Sequence, residues 1–428
     1  MKRVRALILL LIALGGVIAG IAVRTRTQAH AGTLPQQVYV WQRAWTPAVC
    51  DAVRSGAPRF SACNVLAAEV SFRTGRFEAV RVAIDYPALK NAGTPVGLSL
   101  RIGPYKGVFT ESDANAVRIC ELAESLVERA RSQGLTPSEL QIDFDCAETK
   151  LEGYQLWVRA LRRRVAPVPL TITALPSWLH RPSFAVLAGA TDGYVLQVHS
   201  LARPSSIQTP MTLCDSAGAI EAVERAGKIG VPFRVALPTY GYLVAFDRDG
   251  RFAGLSAEGP SGEWPSAAQV RALRADPAAM AALVSRWTAR RPACMNGIIW
   301  YRLPVAGDSL NWRWATLEAV MAGRVPQPGM SAVVRKPEPL VYEVVLENSG
   351  ESDGSLGGSV VVCCDRSAIV AADALGGFEQ TSAEGRTVFR PTPALATDRL
   401  APGDRRTIGW MRLSQDREVT AYVKSNDP

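Results

Sequence analysis

Three acidic side chains lie in or directly after a short apolar segment of the chain. The segment Leu140–Phe144 has the character of a buried β-strand, and Asp143, Asp145 and Glu148 accompany it. Residues two apart on a strand point to the same face, so Asp143 and Asp145 should lie side by side. Neighbouring carboxylates raise the pKa of at least one of them, which supplies an acid and a carboxylate near neutral pH. The alternative is that these acids lie in a loop, where they form ion pairs or cap a helix.

Aromatic and basic residues end the other predicted strands. In a barrel of parallel strands, reactive groups lie at the carboxyl ends of the strands. Those ends carry Trp41, Arg43, Arg101, Trp178, His199, Tyr240, Trp300 and Arg302. Aromatic rings beside paired carboxylates are typical of sugar hydrolysis, which uses flat apolar faces and two acidic groups. The alternatives are core packing for Trp178 and Trp300, a structural role for His199, and charge balance for Arg101 and Arg302.

Apolar segments alternate with helical segments from about residue 36 to residue 325, and they must position these groups. Eight strands are predicted, at 38–41, 65–72, 96–102, 140–144, 170–175, 193–199, 233–238 and 297–301, with an added hairpin strand at 77–84. Helices are predicted from Ser112 or Asp113 to Gly134, and at 154–164, 217–226, 267–289 and 314–322. Short apolar strands that alternate with helices indicate a parallel sheet. Eight such units predict an α/β fold, a closed (β/α)8 TIM barrel.

The sequence changes character after Gly323. Several prolines between residues 326 and 339 predict a linker. Short β-type segments separated by turns then predict a small all-β sandwich. The predicted domains are a targeting segment at 1–31, a glycosidase-like barrel at 36–325 and a sandwich at 335–428.

The first 31 residues are predicted to be a targeting segment. Three basic residues among the first five precede the apolar run Ala6–Val23, and Ala29-His30-Ala31 offers a cleavage site. The run is long for a cleaved signal peptide, so an anchor in the inner membrane is the alternative. In both cases we expect export to the periplasm, to the periplasmic face of the inner membrane or out of the cell.

Charge and cysteine content exclude other classes of function. The formal charge is +9, and five of these charges lie in the first 31 residues, so the rest carries +4. Without a basic run containing aromatics, this small excess predicts no nucleic-acid partner. Eight cysteines fit an oxidising compartment, and a local Cys50–Cys63 disulfide is favoured. Because their spacings match no zinc pattern and only three histidines occur, no metal or cofactor is predicted.

Acids at the end of the fourth strand, with a tryptophan on the eighth, resemble the chitinase-like glycoside hydrolases. In that family three acids alternate as Asp-x-Asp-x-Glu, the Glu protonates the leaving group, and the middle Asp helps to position an acetamido group. Asp143 and Asp145 match the aspartates, but Ala147 stands where the Glu is expected and Glu148 comes one residue later. The resemblance leaves three outcomes: a bulge brings Glu148 inward, Asp145 is the acid, or catalysis is lost.

More of the chain resembles an uncharacterised family of exported bacterial proteins with a glycosidase-like barrel. The similarity lies in Gln141–Asp145, Thr173–Leu179 and Leu196–His199, and it implies a fold more than a reaction. We therefore predict an exported glycoside-hydrolase-like protein that acts on a polysaccharide or oligosaccharide. The alternative is a non-catalytic envelope protein that uses the barrel for carbohydrate binding or assembly.

Overall fold

The computed structural model describes residues 29–424, apart from residues 73–74, 111–112, 257–263, 265–266, 384–385 and 396–397. The predicted targeting segment up to residue 28 and the predicted helix start at Ser112 lie outside the described residues. Within the described ranges, no helix has both the length and the hydrophobicity that a membrane span requires.

Eight parallel strands form a closed barrel. They are β1 (Gln36–Val40), β2 (Ala62–Ser71), β3 (Val96–Ile102), β4 (Leu140–Phe144), β5 (Leu170–Ala174), β6 (Gly193–Gln197), β7 (Phe233–Pro238) and β8 (Met295–Tyr301). Each strand pairs with its neighbour in this series, and β8 pairs with β1, which closes the sheet. An extra strand, Glu78–Arg81, pairs antiparallel with the end of β2 and corresponds to the predicted hairpin strand. The predicted TIM barrel is confirmed.

Helices connect the strands. They are α1 (Pro47–Gly56), α2 (Tyr86–Ala92), α3 (Ala114–Ser132), α4 (Leu151–Val165), α5 (Pro182–Gly189), α6 (Ser216–Ile229), α7 (Pro277–Ala289) and α8 (Trp314–Met321). In α3 the buried residues Ile119, Leu122 and Leu126 recur every three or four positions, which is the spacing of one apolar face. Helices α1, α2 and α5 escaped prediction because they are short and each begins with a proline in its first turn.

The predicted helix at 267–289 was wrong before Pro277. Gln269–Arg274 is a strand that pairs antiparallel with Gly241–Phe246, and Phe252–Ser256 pairs with the other edge of Gly241–Phe246. Asp276 ends this strand region, because its carboxylate accepts hydrogen bonds from the backbone N–H groups of the first turn of α7. Proline at the first position of α7 needs no N–H partner there, so the helix starts at Pro277.

The C-terminal region is all β, as predicted. Its strands are β9 (Met330–Glu338), β10 (Val341–Asn348), β11 (Gly354–Ser355), β12 (Ser359–Cys363), β13 (Ile369–Ala374), β14 (Phe378–Ala383), β15 (Arg386–Pro391), β16 (Arg399–Leu400), β17 (Arg405–Leu413) and β18 (Thr420–Lys424). They form two antiparallel four-stranded sheets, β9-β10-β17-β13 and β14-β15-β12-β18, and the pair β11-β16. Both larger sheets contribute to one core, which contains Val344, Val360, Phe389 and Ile408.

Two compact units interleave along the chain. Among the described residues, the first comprises the chain from Ala29 to Arg203, Pro210–Pro238 and Arg286–Leu303. The second comprises Pro204–Thr209, Thr239–Ser285 and the described residues from Pro304 to Lys424. The predicted domains follow sequence order, whereas the segment Thr239–Ser285, which follows β7 and includes most of α7, belongs to the second unit. Within that unit, Arg274 Nη1 lies 3.7 Å from Asp353 Oδ2.

The predicted Cys50–Cys63 disulfide is absent from the structure, where all eight cysteines are unbonded. The Cys50 thiol instead donates to Asp85 Oδ2 at 3.4 Å. Cys63 is buried on β2, and burial raises the pKa of its thiol to about 12.

Replacing Gly409 by alanine should destabilise the second unit. A Cβ at this position on β17 would overlap the ring of Phe389, which is completely buried. Overpacking of this kind costs about 1–3 kcal/mol. We expect this loss in urea unfolding, whereas Gly357→Ala, whose Cβ would meet only the flexible Ser355 hydroxyl, should change stability by less. Equal losses in both variants would contradict the packing argument.

Candidate active site

Strand β4 directs alternate side chains into the barrel and toward the helices. Phe144 packs outward, with its ring centroid 5.1 Å from that of Tyr154 on α4. Gln141 points inward, where its amide nitrogen donates to the Tyr39 hydroxyl at 2.8 Å. Asp143 has the same parity as Gln141, so the pleat of a five-residue strand carries its carboxyl into the interior.

Asp143 lies in the barrel interior near the carboxyl ends of the strands, where residues of β3 and β5 contact its carboxyl group. Thr173 Oγ1 on β5 donates to Asp143 Oδ1 at 2.9 Å. Arg101 Nε on β3 lies 3.8 Å from Asp143 Oδ2, which is an ion-pair distance but too long for a hydrogen bond. The Asp143 side chain is 18% exposed. One oxygen is therefore fixed, while the other lies near a cation without being bonded to it.

The pKa of Asp143 is raised to about 6. Burial is the largest cause, and the negative charges of Asp145 and Glu69 act in the same direction. Arg101 and the Thr173 hydrogen bond oppose the shift without cancelling it. The pKa of Asp145 is also raised, by the loss of surrounding water, although its side chain reaches the exposed rim. Asp143 can therefore retain a proton close to neutral pH.

A network of ion pairs lies beside this acidic pair. Glu69, near the end of β2, accepts hydrogen bonds from Arg43 at 2.6 Å and from Arg101 at 3.2 Å. Burial alone would raise the pKa of Glu69, but its ion pairs with Arg43 and Arg101 lower it. Glu69 is thus a fixed anion that holds Arg101 beside Asp143. Glu69 was not among the predicted site residues, although its position at the carboxyl end of an apolar strand was a usable signal.

Glu148 does not join the pair. Strand β4 ends at Phe144, and Glu148 begins a short 3-10 helix, Glu148–Lys150. Its carboxylate accepts a hydrogen bond from Arg181 Nε at 2.9 Å. Hydrogen bonds from Arg181 and Ser177 lower the pKa of Glu148, so it is ionised at neutral pH. The inward bulge considered for Glu148 is not formed.

Beneath the acids, the barrel interior contains a network of polar side chains. The Asn64 amide donates to Gln141 Oε1 and to Glu139 Oε1, each at 2.9 Å. Glu139 and Arg234 form a buried bidentate ion pair with two contacts of 2.7 Å. A concavity of about 440 Å³ opens beside this pair at the end of the barrel where the strands begin. Because Glu139 and Arg234 bind each other, we assign these two residues beside the concavity a structural role.

Residues 93–306, half of the chain, match the family model of a domain of unknown function, DUF3142. The chain belongs to the DUF3142 family. A second model of unknown function, DUF8456, matches residues 331–414. No curated protein matches the chain.

The solved structures similar to this DUF3142 protein include two kinds of enzyme. The spore cortex-lytic enzyme SleL of Bacillus megaterium QM B1551 is 12% identical with a TM-score of 0.48, over 69% of this chain and 75% of SleL. A chitinase from Chromobacterium violaceum ATCC 12472 is 15% identical with a TM-score of 0.46, over 68% of this chain and 99% of the chitinase. The DUF3142 protein therefore has a distant structural resemblance to chitinase-like enzymes.

The DUF3142 match covers only part of the site. It includes the acidic pair, Arg101 and Thr173, whereas Arg43 and Glu69 precede residue 93. Strand β1 adds Tyr39 and Trp41, which also precede the match. The first two strands thus complete a site whose acids come from the matched region.

An aromatic cluster lies at the carboxyl ends of β1 and β8. The ring of Tyr301 lies 5.8 Å from that of Tyr39 and 5.6 Å from that of Trp41. His199 stacks on Tyr301 at 5.5 Å, and burial lowers the pKa of His199 to about 4, so it is neutral at pH 7. Trp45 packs against the cluster, and its indole N–H has no partner among the described residues. Tyr39, Tyr301 and Trp45 were not among the predicted site residues.

Two predicted aromatic residues of the sugar site offer no free ring face. Trp178 is 1% exposed and packs against Phe184 at 5.9 Å. Trp300 is fully buried, and its indole N–H donates to Gln36 Oε1 at 2.8 Å. A buried indole cannot stack on a sugar, so both rings agree with the alternative of core packing.

Arg302, Tyr240 and Trp41, which were also predicted to bind substrate, are buried as well. Arg302 is 4% exposed at the end of β8. Tyr240 belongs to the second unit, where it is buried with its hydroxyl 3.4 Å from that of Tyr242. Trp41 is 4% exposed within the aromatic cluster. Of the predicted binding residues, Arg101 is the one for which the structure shows both a partly exposed side chain and a contact with the acidic pair.

Proposed function

We propose that the protein is an exported hydrolase that cleaves a polysaccharide through acid–base chemistry at Asp143 and Asp145. The observation that carries the proposal is the raised pKa of Asp143, about 6, beside a second carboxyl at the carboxyl end of β4. Glycoside hydrolysis needs one protonated and one ionised carboxyl group. Because the carboxyl groups of Asp143 and Asp145 interact, they titrate as a pair, and the proton that the pair retains is shared between them.

The two aspartates have different roles in this proposal. Asp145 lies at the exposed rim, so it is placed to protonate the oxygen of the leaving sugar. Asp143 lies deeper and is fixed by Thr173, so its negative charge stabilises the cation-like centre that develops in the sugar ring. Arg101 balances the charge of the pair and keeps Asp143 partly ionised.

The aromatic cluster supplies the sugar-binding surface of the proposal. Tyr301 and Trp45 are partly exposed, and both pack against the buried rings of Tyr39 and Trp41. An aromatic face binds the apolar face of a pyranose, and the partly exposed rings of Tyr301 and Trp45 offer such faces. We therefore expect Tyr301→Ala to weaken oligosaccharide binding more than Trp178→Phe does.

Release of reducing ends from a panel of envelope polysaccharides tests the proposal. Asp145→Asn should lower the rate by at least about a hundredfold, since one general acid typically contributes 10²–10⁴-fold. Glu148→Gln is the matched control, because Glu148 is bound to Arg181, and this variant should retain most of the activity. A dead Glu148→Gln variant beside an active Asp145→Asn variant would assign the acid to Glu148 and refute the proposed roles.

One observation favours a second candidate, a carbohydrate-binding protein without catalysis. Ala147 stands where chitinase-like enzymes carry their acid, and Glu148 is held elsewhere. For this candidate, the wild type and Asp145→Asn would release equal background amounts of sugar. Tyr301→Ala would still reduce oligosaccharide binding measured by calorimetry, which separates this candidate from a protein with no sugar site.

A further inference from the structure

Basic residues gather at the end of the barrel where the strands begin. Connecting helices run antiparallel to the strands, so they end at this amino-terminal face, opposite the acidic pair. Among α1–α6, every helix except α5 has Lys or Arg in its last turn, and only α4 has an acid in its first turn. The basic residues are Arg54, Lys90, Arg129, Arg131, Arg162, Arg163, Arg164 and Lys228.

The densest part of this face is a concavity of about 320 Å³ between α4 and α5. Its lining residues are Arg159, Arg162, Arg163, Val186, Gly189 and Ala190. Arg162 binds Asp192 and still exposes 46% of its side chain, while Val186 is 54% exposed. Guanidinium groups bind phosphate oxygens in a bidentate manner. Arg159 beside an exposed valine, together with the positive charges of Arg162 and Arg163, matches a phosphate attached to an apolar body.

Helix dipoles explain only part of the pattern. A cation in the last turn of a helix is stabilised by the helix dipole, and Arg54 and Arg164 also have local partners in Asp51 and Glu124. The dipole effect fades beyond the last turn. It therefore does not account for Arg159, which lies six residues before the end of α4, or for the exposed Val186 beside it.

The N-terminal segment enters the fold at the same face. Ala29–His30 pairs with Arg291–Pro292, which lies just ahead of β8. Arg291 Nη1 also donates to Gly32 O at 2.6 Å. The sequence before residue 29 contains the apolar run Ala6–Val23, which is long enough to be a membrane anchor. A membrane that holds this run would therefore lie on the side of the barrel that carries the arginines.

We propose that this amino-terminal face docks on a membrane surface, and that the concavity between α4 and α5 binds the phosphate of an anionic lipid headgroup. The arginines supply the charge complementarity, and Val186 reaches the apolar edge of the lipid. The acidic pair at the opposite face is then directed away from the membrane. This inference does not depend on the proposed hydrolysis.

Arginine modification in nanodiscs tests the docking. The full chain is inserted into nanodiscs of phosphatidylcholine alone or mixed with phosphatidylglycerol, and phenylglyoxal modification of each arginine is followed by mass spectrometry. Each basic residue near an anionic surface gains about fivefold in binding. We expect modification of Arg159 and Arg163 to slow by about fivefold or more in the anionic discs. Arg118, near the start of α3 and stacked over Phe77, should react equally in both discs.

Charge reversal sharpens the test. In the full chain, Arg159→Glu combined with Arg163→Glu should abolish the protection of Arg162, whereas Lys106→Glu, after β3 at the opposite face, should preserve it. Equal modification rates in the two kinds of disc would overturn the proposal. Protection by inorganic phosphate in neutral discs, without protection by phosphatidylglycerol, would mark a site for soluble phosphate and would also overturn it.

Discussion

An Asp143→Asn variant should have a kcat at least about a hundredfold below that of the wild type in the proposed polysaccharide hydrolysis. Asparagine cannot ionise, so the variant lacks the negative charge that stabilises the cation-like centre and cannot share a proton with Asp145. The site should keep its shape, because the asparagine oxygen can still accept the hydrogen bond from Thr173, which is 2.9 Å long in the wild type. Initial rates of reducing-end release across the pH range provide the measurement.

The same variant should be more stable than the wild type at alkaline pH. The pKa of Asp143 is about 6 in the folded protein, above the value of about 3.9 for an unfolded chain. A raised folded-state pKa gives stability that is complete below about pH 4 and is lost as the pH rises through 6. Asp143→Asn should therefore gain about 1–3 kcal/mol at pH 8 and little at pH 4 in urea unfolding.

Thr173→Val is the matched control for Asp143. It removes the hydrogen bond that lowers the pKa of Asp143 but leaves the carboxyl group in place. Activity should persist, and the limb of the pH profile that reports this carboxyl should move to higher pH. An Asp143→Asn variant with wild-type kcat would show that Asp143 is not a catalytic residue. Lower stability of this variant at pH 8 would contradict the raised pKa of Asp143.

Arg234→Met should destabilise the first unit by about 3–5 kcal/mol, because it leaves the Glu139 carboxylate buried without its cation. The two side chains are only 10% and 12% exposed. Burial alone would raise the pKa of Glu139, but Arg234 lowers it, so the ion pair stabilises the fold at neutral pH and loses this effect as the pH falls. Urea unfolding at pH 7 and under acidic conditions measures both effects.

Two comparisons test the explanation for Arg234. Replacing Glu139 and Arg234 together by methionine should recover much of the lost stability, since no charge is then left unpaired. Arg54→Met breaks an exposed pair with Asp51 and should cost at most about 1 kcal/mol. If Arg234→Met and Arg54→Met cause equally small losses of stability, the buried pair of Glu139 and Arg234 does not stabilise the barrel.

The barrel could be predicted because its strands are short, apolar and regularly separated by helices. β3, β4 and β7 have the predicted bounds, and the predicted parity brings Asp143 into the interior. These features depend on local sequence. The pKa of Asp143 depends also on Arg101 and Thr173, which are 42 and 30 residues away in the chain and come together only when the strands pair.

The depth of each aromatic ring was harder to predict. The side chain of a residue near the end of a strand can point to the mouth of the barrel, to its interior or to the surrounding helices. A shift of one position along the strand changes this direction. Trp300 faces Gln36 on the neighbouring strand, whereas Tyr301, the next residue, joins the partly exposed cluster. The position of Glu148 was left open among alternatives for a similar reason, because Arg181 from the connection after β5 binds its carboxylate.

The interleaving of the two compact units affects synthesis of the chain. The segment Thr239–Ser285 is made before β8, yet its unit is completed by the strands from Met330 onward, as the approach of Arg274 to Asp353 shows. During synthesis this segment therefore cannot complete its packing until about the last hundred residues of the chain have been made. Cutting the gene between the two family matches would separate that segment from its packing partners, so the two regions should be expressed as one polypeptide.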